Sequence, residues 1–203
     1  DINYIETYNR DNINLIDLKR DPIKCINKNG IETEKNNFDL DIIVFATGYD
    51  AMTGPLLNMN ILGKNNLKLK NDWKEGPKTF LGLQIPGFPN LFTITGPGSP
   101  SVLTNMPMAI DQHVEWIRDC ISFMIKKEYT TIEASSNLAK KWGQEVNRVA
   151  NKTLLPTVKH SWYLGANIPG KPRVFMPYAG GLPRYSKICD DVKKNNFEEF
   201  ILA

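Results

Sequence analysis

The segment Leu40-Asp41-Ile42-Ile43-Val44-Phe45-Ala46 constrains the fold more than any other stretch of this sequence. From Ile42 onward it is an apolar run rich in β-branched side chains, so a strand built from it presents apolar groups on both faces. Such a strand is stable only within a sheet covered on both sides, and in α/β proteins the cover is helical. The flanking segments are too short to supply those helices, so the expected sheet is incomplete within this chain. The run leads into Thr47-Gly48, which puts a small, backbone-exposing turn at the strand's carboxyl end. Open α/β sheets receive their ligands there, and Gly48 would let a flat cofactor approach the main chain. The same letters also suit a glycine that only ends a strand.

Around this run the sequence alternates between extended and helical patterns. Ile13 to Leu18 roughly alternates, Pro22 to Ile26 follows, and Asn29-Gly30 is a hairpin-type dipeptide. Residues 51–100 are punctuated by Gly and Pro, with strand candidates at Thr79–Leu83 and Leu91–Thr95. Met108, Ile110, Val114, Ile117, Ile121, Met124 and Ile125 recur mostly at helical spacing and predict a helix of about 20 residues. A second helix is expected from Ser135 to Thr153, with Ser136 or Asn137 as its N-cap. A long loop over 154–172, a strand at Val174–Met176 and a short helix from Tyr185 to Lys194 complete the expected order.

Composition bounds the chemistry. Of 203 residues, 41% are apolar and 23% charged, which is enough to bury a core and far from the signature of disorder. A net charge of +3, scattered along the chain, argues against a nucleic-acid or anionic-membrane partner. With two histidines, and with Cys25, Cys120 and Cys189 far apart and in no CxxC pair, metal chemistry and thiol catalysis are not expected. The cysteines read as inert fillers in a reducing, cytoplasmic compartment. No stretch reaches the roughly 18 apolar residues of a membrane span. The chain opens at Asp1 rather than Met, which suggests a piece of something longer.

Two loops carry the remaining candidates. Thr95-Gly96-Pro97-Gly98-Ser99-Pro100-Ser101-Val102-Leu103-Thr104-Asn105-Met106-Pro107 runs straight into the long helix. A rigid small-residue loop before a helix start aims free N–H groups at one point, suited to a phosphate or an electron-rich ring. It is equally the approach loop of any well-capped helix. The segment His160 to Arg173 carries Trp162, Tyr163, hinge glycines and basic residues, and reads as a lid or binding loop. His160 reads as structural or solvent-facing, and His113 as packing or hydrogen-bonding within the helix rather than as catalytic. No GxGxxG, Walker loop, GxSxG or zinc ligand set occurs.

These motifs, with Tyr8-Asn9-Arg10-Asp11-Asn12, Ala46-Thr47-Gly48-Tyr49-Asp50, Gly87-Phe88-Pro89-Asn90-Leu91-Phe92 and Gly165-Ala166-Asn167-Ile168-Pro169-Gly170-Lys171-Pro172-Arg173-Val174-Phe175-Met176, resemble the carboxyl-terminal part of Baeyer–Villiger flavin monooxygenases. Those are enzymes of the phenylacetone, steroid and cyclohexanone monooxygenase type. The resemblance implies an α/β fold, the carboxyl-terminal part of a two-domain FAD/NADPH Rossmann-like enzyme. Residues 1–45 would end the NADPH domain, and 46–203 would form the carboxyl-terminal half of the FAD domain with a lid over 154–172.

The implied reaction inserts one oxygen of O2 into a ketone to give an ester or lactone, using FAD and NADPH. Thr47, Gly48, Asn105 and Met106 would contact FAD, and Trp162 would contact NADP. Ser101, Val102, Leu103 and Phe175 would line the substrate pocket. The catalytic arginine of the family would fall before Asp1, and both phosphate-binding loops are missing, so the chain alone is expected to be inactive. It is further expected to self-associate or to need the missing amino-terminal part. The alternatives are a related flavin monooxygenase oxidising nitrogen or sulfur, and a non-catalytic remnant acting as a binding module.

Overall fold

A computed structural model describes residues 2–203, which divide into two compact units, one ending at Gly48 and the other running from Tyr49 to Ala203. The first unit opens with the short helix α1 (Tyr4–Thr7). Its sheet is an antiparallel meander of β1 (Ile23–Asn27), β2 (Gly30–Thr33) and β3 (Asn37–Asp39).

The hairpin expected at Asn29-Gly30 joins β1 to β2, and the Asn27 side chain closes it. Its Oδ1 accepts the amides of Asn29 (2.8 Å) and Gly30 (3.2 Å). Gly30 has φ +152, and a Cβ there would sit 2.0 Å from the Phe38 carbonyl oxygen, so only glycine serves. The next turn is pinned by the buried Asp21 carboxylate, which accepts from Thr33 Oγ1 (2.8 Å), the Lys35 amide (2.9 Å) and Asn36 Nδ2 (2.8 Å).

The apolar run that dominates the sequence does not form the buried strand expected of it. β3 ends at Asp39, and Ile42, Val44 and Phe45 are 79%, 81% and 71% exposed. A two-faced apolar strand needs a neighbour on each edge and a layer on each face. Among the described residues of its unit, nothing supplies them. Ile13–Leu18 likewise forms no strand.

The second unit is mainly helical: α2 (Gly54–Asn58), α3 (Leu69–Asp72), α4 (Met106–Lys126), α5 (Ser136–Ala150) and α6 (Leu182–Lys194). One two-stranded ladder pairs β4 (Ile132–Glu133) with β5 (Ile201–Leu202). The strands expected at Thr79–Leu83 and Leu91–Thr95 shrink to isolated bridges, Phe80 with Gln84 and Gln84 with Phe92. Val174–Met176 forms no strand either. These runs are bounded so closely by Gly and Pro that no ladder can propagate.

The two long helices and the short one expected from the sequence are all present, the short one starting earlier, at Leu182. The face of α4 that enters the core is Ala109, His113, Trp116, Cys120 and Met124, whereas Met108, Ile110, Val114, Ile121 and Ile125 stay exposed. The helix is apolar on two sides, and the side with the large aromatic is the one buried. The N-cap of α5 is Ser135, not Ser136 or Asn137; its hydroxyl accepts the Leu138 amide at 3.2 Å.

The main core gathers aromatic rings from α4, α5 and α6. Trp142 stacks on Tyr178 with ring centroids 5.1 Å apart and meets Phe80 edge-on. Two polar tips find carbonyls: Trp116 Nε1 donates to Cys189 (3.0 Å) and the Tyr185 hydroxyl to Leu81 (2.6 Å). A smaller core holds Leu69, Trp73, Ile85 and Phe88. Burial pushes the thiols of Cys120 and Cys189 up to about 12, which keeps them protonated and inert. Cys25 is exposed on β1, its thiol raised by a hydrogen bond to Glu32. Among the described residues, no helix is long and apolar enough to cross a membrane and no acidic, His or Cys cluster could hold a metal.

Candidate functional site

The loop before α4 is built from short side chains that bond back to the main chain. Thr93 Oγ1 donates to the Gly82 carbonyl (2.8 Å), Thr79 Oγ1 to Pro97 (2.5 Å) and Ser99 Oγ to Gly96 (2.8 Å). Trp142 Nε1 donates to the Gly98 carbonyl at 3.0 Å. At Gly96 a Cβ would come within 2.5 Å of Thr93 Oγ1 and 2.6 Å of the Gly82 oxygen, so this turn packs against its neighbour too closely for any side chain. The loop ends in a 3₁₀ turn over Ser101–Leu103, and Asn105 Oδ1 then caps α4 by accepting the Met108 amide (3.3 Å).

This loop forms one side of a cavity of about 470 Å³, a size typical of small-molecule sites. Met52, Leu56, Phe92, Val102, Met106 and Trp162 give it an apolar lining, with Thr95 and Ser101 as polar members. No charged side chain lines it. Three of its residues, Met52 (φ 66), Thr95 (φ 54) and Ser101 (φ 45), are non-glycine residues in the left-handed region. Each such residue costs about 1–3 kcal/mol and persists only where the surroundings over-determine it. Ser101 Oγ reaches Met52 Sδ at 3.4 Å, tying two of the three together.

Trp162 stands on a 3₁₀ turn, Trp162–Leu164, whose N-cap Ser161 accepts the Tyr163 amide (3.2 Å). The loop carrying it is fastened at several points. Asn167 Nδ2 donates to the Tyr49 carbonyl (3.2 Å), and the mostly buried Lys171 ammonium pairs with Asp50. Arg173 donates to the carbonyls of Lys159 (2.8 Å) and Val158 (3.1 Å), and the Met176 amide to Tyr163 (2.8 Å). The segment read as a lid is therefore held in one defined arrangement.

Of the residues singled out from sequence, Ser101, Val102, Met106 and Trp162 meet at this cavity. Leu103 packs instead on the main core, and the Asn105 side chain is occupied as the helix cap. Phe175 is buried and lines a different cavity of about 650 Å³ beside Trp142, Val174 and Met176. Thr47 and Gly48 are exposed at the end of the first unit. Phe92 and Thr95, which stand in motifs marked in the sequence without a site role of their own, also line the 470 Å³ cavity, as does Met52, which was not marked. Phe92 and Thr95 belong to the strand-like run that ends at Gly96; no sequence signal points to Met52.

Chemically, the cavity suits a flat apolar ring set between Met106, Val102 and Trp162. Its small-residue wall also allows close backbone approach. No side-chain cation lines it, so an anionic group there would depend on backbone amides.

No family model matches the chain. It is 40% identical over 201 residues to a cyclohexanone 1,2-monooxygenase of an Acinetobacter species, covering 98% of this chain and 36% of that protein. A Baeyer–Villiger monooxygenase of Pseudooceanicola batsensis is 39% identical over 200 residues, with 98% and 36% covered. A phenazine N-monooxygenase of Lysobacter antibioticus is 36% identical over 200 residues, with the same coverage.

Among solved structures, oxidised steroid monooxygenase bound to NADP superposes with a TM-score of 0.88 at 44% identity, over 100% of this chain and 38% of that one. OTEMO in complex with FAD and NADP gives 0.92 at 38% identity, over 100% and 37%. The α/β architecture with small sheets is shared with these structures. The chain spans little more than a third of the length of the curated relatives it matches. Along its whole length, then, this chain is homologous to a portion of the Baeyer–Villiger monooxygenases.

Proposed function

We propose that the chain is the carboxyl-terminal portion of an FAD- and NADPH-dependent Baeyer–Villiger monooxygenase, and that it supplies one wall of the flavin and substrate site. The observation that carries this reading is the meeting of Ser101, Val102, Met106 and Trp162 around one uncharged cavity, in a chain homologous throughout to such enzymes. When bound, FAD and NADPH together activate O2 so that one oxygen passes into a ketone, giving an ester or lactone.

The residues of this chain would orient and enclose. Met106, at the first turn of α4, would lie against the ring, with the capped helix start behind it. Ser101 and Val102 would border the ketone, with Leu103 behind them in the core, and Trp162 would close the cavity from the fastened loop toward NADP. Phe175, buried beside the second cavity, would act by supporting the loop rather than by touching substrate. In this reading residues 1–45 end an NADPH domain and 46–203 complete an FAD domain, each on a Rossmann-like sheet whose first strands lie outside this chain. Such a sheet would give the exposed run Ile42–Ala46 its neighbours, and Thr47-Gly48 would then turn toward FAD. No side-chain cation lines the cavity, so phosphates placed near it would depend on backbone amides or on residues elsewhere.

The test is a chimera in which this chain replaces the homologous portion of the Acinetobacter cyclohexanone monooxygenase. It should show a bound-flavin absorption band and oxidise NADPH when a ketone is added. The similarity to a phenazine N-monooxygenase favours oxidation of a ring nitrogen as the second reading. Offering the chimera cyclohexanone and phenazine together decides between them: lactone in excess supports the first, N-oxide in excess the second.

A further inference from the structure

Among the buried polar side chains to which the function above gives no task, His113 is the one bonded to a residue of the cavity wall. His113 lies on the inner face of α4, fully buried, packed beside the Tyr185 ring with centroids 5.5 Å apart. Its Nδ1 accepts the Thr95 amide at 2.9 Å, and its Nε2 has no partner. An imidazole with an accepting Nδ1 is either anionic or neutral with its proton on Nε2, and only the neutral form is reasonable in an apolar core. That assignment leaves a buried N–H unsatisfied, a penalty that an aliphatic side chain here would avoid. The hydrogen bond to Thr95 is what the histidine offers in return.

Thr95 is where that bond matters. It is a β-branched residue at φ 54, a conformation that is a genuine outlier for its type. It lines the same cavity as Met106, Val102 and Trp162, and Gly96 follows it immediately. Without an acceptor opposite its amide, Thr95 would gain by relaxing to an extended conformation. The Gly96–Ser101 turn would then move with it. The other two left-handed residues of the wall are tied to each other through Ser101 Oγ and Met52 Sδ. Thr95 is tied to the helix through His113 alone among the side-chain bonds described.

We infer that His113 is a positioning residue: by accepting the Thr95 amide through Nδ1, its neutral imidazole holds the left-handed turn that shapes the wall of the cavity. The inference rests on the cavity being the ligand site proposed above, but the bond itself can be tested without any ligand. The first arm uses the wild-type chain uniformly labelled with nitrogen-15. The imidazole spectrum should show Nδ1 unprotonated and coupled to the Thr95 N–H, with the proton on Nε2. A protonated Nδ1 overturns the inference, and this arm needs no variant to fold.

The second arm compares His113→Asn with His113→Leu by amide exchange. Asn offers an oxygen near the position of Nδ1; Leu fills the space and removes the unsatisfied N–H. The Thr95 amide should exchange about tenfold faster in the Leu variant, the value of one buried hydrogen bond, and return toward wild type in the Asn variant. A role in packing alone predicts the opposite order, with Leu the better replacement, and that result overturns the inference. The chimera supplies the third arm: His113→Leu should raise KM for the ketone while His113→Asn restores it. A chimera that never oxidises ketone removes the functional reading and leaves the first two arms standing.

Discussion

Folding decides the charge of His113. Burial against Tyr185, whose own hydroxyl ionisation is pushed well up by burial, lowers the imidazole from 6.5 to about 4. Between those values the unfolded chain binds a proton that the native chain refuses, so native stability is complete above pH 6.5 and falls as the pH drops toward 4. The shift corresponds to about 3 kcal/mol. Urea midpoints measured from pH 7 to pH 4.5 should fall more steeply in wild type than in His113→Leu, and parallel curves would contradict the assignment. The two buried cysteines carry no such dependence near neutrality, because burial holds both thiols protonated up to about 12. At this scale the sequence reads His113 and the cysteines as structural, which burial explains for His113, Cys120 and Cys189 but not for Cys25, which is exposed on β1. What it could not reveal is the partner of His113, since Thr95 lies 18 residues away and meets it only after α4 has packed.

The helices are legible because each carries its own period, with a side-chain cap at α4 and α5; the strands are not, because a strand depends on neighbours elsewhere. α4, α5 and α6 stand within a few residues of where their spacing puts them. The run Leu40–Ala46 has the composition of a buried strand and remains exposed for want of partners. Periodicity alone does not say which side of α4 is buried. Counting aliphatic residues selects the exposed side, whereas Trp116 and Cys120 mark the core.

The cap of α5 makes a clean test. Ser135→Ala removes the bond to the Leu138 amide and should lower stability by about 1 kcal/mol. Ser136→Ala, one residue inside the helix, should leave the thermal midpoint nearly unchanged. Equal losses would remove the cap from Ser135. The fastened loop offers a second test. Asp50→Asn takes away the charge opposite the mostly buried Lys171, so amides over 161–171 should exchange several-fold faster while those of α4 keep their rate. Unchanged exchange in the loop would show that its other fastenings, at Asn167, Arg173 and the Met176 amide, hold it without the ion pair.

At the scale of the whole molecule, apolar side chains are left in water in both units. Ile42, Val44 and Phe45 are exposed in the first, and Met108, Val114, Ile125 and Leu154 in the second. Exposed apolar groups on this scale mark surfaces that other protein normally covers. The chain alone should therefore associate as its concentration rises, and sedimentation that shows a monomer at every concentration would contradict this. The length comparison points the same way, since this chain matches little more than a third of the length of its relatives.

We propose that the cavity between the loop 95–106 and Trp162 is one wall of a monooxygenase site completed by protein outside this chain. Ketone-dependent NADPH oxidation, with product analysis, for the chain alone and for the chimera tests this. We expect no NADPH oxidation by the chain alone and lactone formation from cyclohexanone by the chimera. Robust ketone-dependent NADPH oxidation by the chain alone, or a folded chimera that retains FAD and forms no lactone, would contradict it.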